Sequence, residues 1–123
     1  MKALVAGAGI GGLAAAIALR RAGYEPLVLE RSETVREAGA GLLLGANAAA
    51  ALHDLGLHRA ASSLGVPTTA GILRDPAGNT LASPRIPPEK ERLGYDSAAV
   101  SRADLLAALL AEAGEEAVRP GRR

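Results

Sequence analysis

Apolar positions along the chain fall into short blocks punctuated by glycine, and the period changes from block to block. Lys2-Ala3-Leu4-Val5-Ala6 opens the chain with an apolar run that reads as a strand. Leu13, Ala14, Ile17, Ala18 and Ala22 then recur at a helical period, with small residues on the face that must lie against a sheet. Gly23 supplies the stop for that helix. Leu27-Val28-Leu29 is a second apolar run, closed by Glu30. Farther on, Leu42-Leu43-Leu44 predicts a short buried strand, and Asn47 suits the N-cap of a helix from Ala48 to Leu55 ended by Gly56. Leu57 to Leu64 predicts a second short helix, stopped by Gly65.

The second half of the chain is more broken. Gly71–Arg74 and Thr80–Ala82 flank Asp75-Pro76-Ala77-Gly78, where proline second and glycine fourth suit a type I turn and hence a β-hairpin. Pro84 to Arg92, with three prolines and five charges, predicts no regular element. Ala98-Ala99-Val100 reads as a brief strand. Ser101 then opens an amphipathic helix, with Asp104 as a partial capping box and Gly114 as its end. Leu105, Leu106, Leu109 and Leu110 mark the buried face of that helix. Glu116-Ala117-Val118 begins a further strand, which Pro120 stops within a few residues.

Between the first strand and the first helix lies Gly7-Ala8-Gly9-Ile10-Gly11-Gly12, with glycines at the spacing G-x-G-x-x-G. A glycine triplet alone is a weak signal. Here the strand, the turn, the helix, the second strand and a terminal acid stand in order, which is the context a dinucleotide-binding half-fold requires. Gly7 permits the tight turn, Gly9 lets the backbone approach a pyrophosphate, and Gly12 lets the helix pack close to the strands. The helix start at Ile10 and Gly11 presents N–H groups and the positive end of the helix dipole to phosphate. Glu30, 18 residues past Gly12, falls where a carboxylate accepts hydrogen bonds from ribose hydroxyls and repels a 2′-phosphate. The competing reading is a glycine turn in an ordinary βαβ unit that binds nothing.

Composition narrows the partners. With 14 basic and 13 acidic residues the net charge is +1, which implies neither nucleic acid nor an acidic membrane surface. The chain has no cysteine for disulfides or thiolate metal sites, and no apolar run reaches the ~20 residues of a membrane span. A strand begins at once, leaving no room for a signal peptide ahead of it, so a cytoplasmic protein is the expectation. The hydrophobic fraction of 49% includes 28 alanines and neither Phe nor Trp. Alanine buries little area, so marginal stability is expected unless ligand or further polypeptide adds to it. His53 and His58 have no second ligand near in sequence and read as structural or exposed.

Four segments in order resemble the single-component flavoprotein monooxygenases, the para-hydroxybenzoate hydroxylase-like family of FAD-dependent aromatic hydroxylases. They are the Gly7-Gly9-Gly12 fingerprint, Leu29-Glu30-Arg31, Arg36-Glu37-Ala38-Gly39-Ala40-Gly41-Leu42 leading to Asn47-Ala48, and Val100-Ser101-Arg102-Ala103-Asp104-Leu105. One departure is Ala46, where the family commonly has proline. The resemblance implies an α/β, partial Rossmann-like FAD-binding βαβ fold, truncated, over residues 1–114, with a small β-hairpin insertion from the start of a substrate domain. That insertion spans about residues 66–97, and residues 115–123 form a charged tail or cut-short strand.

It also implies FAD as cofactor, with NAD(P)H as the reductant of the full-length family. Glu30 would bind the adenosine ribose, Arg31 would lie near the adenine and its ribose, and Arg36 and Arg102 would reach the pyrophosphate or ribityl region. Gly41 and its neighbours would lie near the flavin side. Arg36 suits an ion pair with Glu33 or Glu37 equally well, and Arg31 a solvated strand end. The family's later Asp-Gly and Gly-Asp motifs are absent from these 123 residues. The chain therefore reads as the N-terminal FAD-binding portion of a monooxygenase, inactive alone, with C-terminal polypeptide as an implied partner. A non-catalytic ADP-binding remnant and half of an NAD-dependent oxidoreductase are the alternatives.

Overall fold

A computed structural model describes residues 1–35, 41–57, 65–86 and 89–122. The βαβ unit forms as the apolar pattern predicts. Strand β1 (Lys2–Ala6) leads through the glycine turn into helix α1 (Ile10–Arg21), and β2 (Glu25–Leu29) follows. The strands pair in parallel, with Leu4 opposite Leu27 and Val5 opposite Val28. Gly23, at φ +84°, ends the helix and turns the chain into β2.

Next come β3 (Gly41–Leu44), α2 (Ala46–Asp54), β4 (Gly65–Pro67), β5 (Leu73–Arg74) and β6 (Thr80–Ala82). A one-turn helix α3 (Lys90–Leu93), β7 (Ala98–Ser101), α4 (Arg102–Ala113) and a 3₁₀ turn at Glu115–Ala117 complete the chain to β8 (Val118–Arg119). Strand β8 joins β2 in parallel, so the first sheet runs β1-β2-β8. The second sheet is antiparallel in the order β3-β7-β4, and β5-β6 form the hairpin. Within that hairpin the Gly78 N–H donates to the Asp75 carbonyl at 3.0 Å, closing the turn around Pro76.

Helices α1 and α4 pack together on one face of the parallel sheet. Leu13, Val28 and Leu109 are fully buried there, joined by Ile17, Leu105, Leu106 and Val118. Many remaining core positions are alanine (Ala8, Ala16, Ala49, Ala113), which lets the helices sit close but limits the apolar area each removes from water. The other sheet face is open, with Leu4 68% and Leu27 37% exposed. The contrast sets a prediction. Leu13→Ala should cost about 2–5 kcal/mol, whereas Leu4→Thr should stay within about 0.5 kcal/mol. Urea midpoints of the two variants check it, and equal losses would contradict the placement of the core.

Several expectations need correction. Gly45, not Asn47, is the N-cap of α2, because the helix begins at Ala46. The Asn47 side chain folds back to within 2.7 Å of where a Gly45 Cβ would stand. Leu42-Leu43-Leu44 is not uniformly buried, since strand alternation buries Leu44 and leaves Leu43 58% exposed. Pro84–Arg92 contains the start of one regular element, α3, whose first N–H groups at Glu89 and Lys90 donate to the Asp96 carboxylate. The further helix expected over 57–64 lies outside the described residues apart from buried Leu57.

Candidate functional site

The glycine turn is shaped by two different constraints. Gly7 has φ +95°, a conformation that side chains with a Cβ rarely adopt. Its N–H donates to the Leu29 carbonyl at 2.7 Å, tying the turn to the end of β2. A Cβ on Gly12 would overlap the Gly7 carbonyl oxygen, so helix and turn meet backbone to backbone at this point. These two glycines are required by the fold itself.

Gly9 and Gly11 are different. Gly9 has φ −74°, ordinary for any residue, and among the described residues a Cβ on either glycine would meet no atom within 4 Å. Both lie at the start of α1, where Gly9 is the N-cap without a capping side chain and the first turn holds no acid. The first helical bond here runs from the Leu13 N–H to the Gly9 carbonyl at 3.0 Å. Ile10, Gly11 and Gly12 therefore have no acceptor within the helix, as at any helix start. Bare backbone, outward N–H groups and the positive end of the dipole together suit an anion brought close to the chain.

Glu30 stands beside this cradle. Its carboxylate accepts the Ser32 N–H at 2.9 Å and the Ala8 N–H at 2.7 Å. Those bonds, Ser32's first and Ala8's second, hold the carboxyl below its ordinary range. A carboxylate offers about four lone-pair sites, so the two backbone bonds do not saturate it and it can still accept from a ribose hydroxyl. The lowered value also fixes a pH dependence. Stability contributed by ionised Glu30 is fully present above the ordinary value of 4.5 and is lost as pH falls through the lowered folded value. Chemical denaturation should thus show wild type more stable than Glu30→Gln above pH 4.5, with the gap closing on the acid side. A gap that stays constant as pH falls from neutral far to the acid side of 4.5 would contradict this coupling.

A cleft of about 240 Å³ opens between the glycine turn and the segment after β2, lined by Ala8, Gly9, Glu30, Arg31, Thr34 and Leu106 among others. Leu106 comes from α4, which brings the other candidate residues into the same region. Ser101 caps α4, its Oγ accepting the Asp104 N–H at 3.3 Å as the capping box predicts. Arg102 is the first helical residue, one turn before Leu106 on the same side. Gly41 pairs with Ser101 across the antiparallel sheet, which places it next to Arg102. The structure thus groups Gly7, Gly9, Ile10, Gly11, Gly12, Glu30 and Arg31 at one end of the parallel sheet. Gly41 and Arg102 form a second group, linked to the first through α4. Arg36 lies outside the described residues.

Other expectations are simpler to place. His53 packs its ring against Tyr95 at a centroid distance of 5.5 Å, and His58 lies outside the described residues. Among the described residues no cluster of His, Cys, Asp and Glu could hold a metal ion, and no helix is long and apolar enough to cross a membrane. Sequence reasoning missed Leu106 and Thr34 as cleft residues. Leu106 carried only the signal of a core leucine, and Thr34 none at all.

Comparison with known proteins points the same way. Residues 5–37 match the family described as NAD(P)-binding Rossmann-like domain. The chain is 41% identical over 115 residues to a 3-hydroxybenzoate 6-hydroxylase of Polaromonas naphthalenivorans, covering 91% of this chain and 28% of that protein. It is 34% identical over 124 residues to an FAD-dependent urate hydroxylase of Klebsiella pneumoniae, covering 100% of this chain and 32% of the relative. The crystal structure of Klebsiella pneumoniae HpxO complexed with FAD and uric acid superimposes with a TM-score of 0.84 at 33% identity, covering 100% of this chain and 31% of that one. The chain spans about three tenths of the length of these relatives.

Proposed function

Because this chain is a Rossmann-like dinucleotide-binding domain of the FAD-dependent monooxygenase family, we propose that it holds the ADP half of FAD. It would serve as the FAD-binding portion of an FAD- and NAD(P)H-dependent hydroxylase acting on a small aromatic or polyketide-like molecule. One observation carries this reading. Among the described residues nothing requires Gly9 or Gly11 to lack a Cβ, and both lie exposed at a helix start. A ligand that needs bare backbone supplies the reason.

In this reading the diphosphate lies over the N–H groups of Ile10, Gly11 and Gly12, and Glu30 accepts hydrogen bonds from the ribose. Arg31 flanks the adenosine. Arg102, beside Gly41, reaches toward the pyrophosphate or ribityl chain, where its fixed fork matches phosphate oxygens. Bound FAD would supply the electron transfer and oxygen chemistry, while these residues bind and orient it. The two clefts flanking Glu30, about 240 and 340 Å³, suit the ADP half and leave the flavin ring beyond them. By itself the chain then binds cofactor without hydroxylating. Water exclusion around the ring falls to polypeptide of the kind that makes up the remaining length of the hydroxylases.

Calorimetric titration with FAD, ADP and NAD tests this in the wild type, Glu30→Ala and Arg102→Ala. FAD should bind more tightly than ADP, Glu30→Ala should weaken both, and Arg102→Ala should weaken FAD more than ADP. Equal binding of FAD and ADP would reduce the chain to an adenine-nucleotide-binding module. Indifference to both substitutions would contradict the assigned site.

A further inference from the structure

Glu30 is held by more than the glycine turn. The segment Arg119-Pro120-Gly121-Arg122 folds over the end of β2, with Gly121 at φ +67° after Pro120, as in a type II turn. The Glu30 N–H donates to the Arg119 carbonyl at 3.0 Å, and the Arg122 N–H donates to the Glu30 carbonyl at 2.8 Å. The Gly121 N–H donates to the Ser32 carbonyl at 3.0 Å, fixing the residue whose own N–H binds the Glu30 carboxylate. Both backbone groups of Glu30 are thus gripped by the two ends of one turn.

The same turn delivers Arg122 to the second cleft, about 340 Å³, lined by Ala6, Gly7, Leu29, Glu30, Arg31 and Arg122. Glu30 borders both clefts. On one side the lining is polar, with Ser32, Thr34 and the helix start within reach of phosphate and ribose. On the other it is Ala6, the Gly7 backbone and Leu29, with Arg31 and Arg122 completing the lining. A flat, largely apolar base suits the second cleft, and a guanidinium plane is a good stacking partner for it.

We propose that Arg122 is a positioning and specificity residue that stacks on the adenine base of the bound dinucleotide, in the cleft to which the Pro120–Gly121 turn delivers it. This rests on the ADP-binding reading of the same site and adds a residue and a preference to it. The cleft favours a purine, whose larger π-face stacks better than a pyrimidine's. Because the bond to Glu30 comes from the backbone N–H of Arg122, side-chain substitution leaves that clamp in place.

The full chain, Arg122→Ala and Arg122→Lys are titrated calorimetrically with ADP, UDP and inorganic pyrophosphate, with melting curves as a check on folding. Wild type should prefer ADP to UDP. Arg122→Ala should bind ADP about fivefold more weakly, the size of a modest cation–π contact, and should lose most of the preference over UDP. Arg122→Lys should recover only part of the ADP affinity, and pyrophosphate binding should change in neither variant. Unchanged ADP affinity in Arg122→Ala would overturn the proposal while leaving the ADP site standing. Equal losses for ADP and pyrophosphate would also overturn it, by reducing Arg122 to a general positive charge. Failure of wild type to bind ADP at all would overturn the site reading and this proposal together.

Discussion

Gly9→Ala is expected to remove adenine-dinucleotide binding while leaving the fold intact. Its backbone conformation is open to alanine, and among the described residues the added methyl would meet no atom within 4 Å. Alanine is a poorer N-cap than glycine, but it also restricts the unfolded chain, and the two effects nearly offset, leaving a net change within about 1 kcal/mol. The methyl would instead occupy the space where a diphosphate must approach the N–H groups of the first turn. A loss in ADP affinity on the order of 100-fold, about 2.7 kcal/mol, is the expected scale. Paired thermal melts and ligand titrations check both halves. A variant that binds ADP as wild type does would show that the ligand lies elsewhere.

Gly12→Ala should do the reverse, acting first on the fold. A Cβ there overlaps the Gly7 carbonyl oxygen, a backbone atom held by the turn and by the bond from the Gly7 N–H to Leu29. Helix α1 would have to move off the sheet, loosening Leu13 and Ile17 from the core that they share with α4. Overpacking of this kind costs about 3 kcal/mol when the neighbour cannot yield, and for a chain this size that lowers the melting temperature by roughly 10 °C. In an alanine-rich core with little area to spare, that is a large share of total stability. An unchanged melting temperature would mean that the close helix–turn approach is not what Gly12 provides. The two glycines of one motif thus separate by experiment into a ligand requirement and a packing requirement.

The local features were the legible ones. β1, the turn, α1, β2 and Glu30 are contiguous, and each boundary carries a residue with one dominant reason to be there. The hairpin turn at Asp75–Gly78 and the Ser101 cap were readable on the same grounds, since their bonds close within four residues. What escaped was non-local. β3 and β7 pair across about sixty residues of chain, and neither four-residue run declares a partner. β4, Gly65-Val66-Pro67, is too short and too rich in breakers to read as a strand, yet it completes the antiparallel sheet. Pro120 was legible as a stop signal. That its turn clamps Glu30 and places Arg122 by the site depends on β8 docking beside β2, which no local pattern encodes. Asn47 misled because it is a good capping residue standing two positions past the true N-cap, Gly45.

The central claim is that the glycine turn and Glu30 form the seat of an ADP moiety. Backbone amide chemical shifts of the isotope-labelled chain, followed through an ADP titration, test it most directly. The account predicts saturable shifts that are largest at Gly9, Ile10, Gly11 and Gly12 and at Glu30 to Ser32, with a smaller set at Arg122 and little change along the β5–β6 hairpin. Saturation with the largest shifts away from the glycine turn, or no saturable shift at any amide, would contradict it.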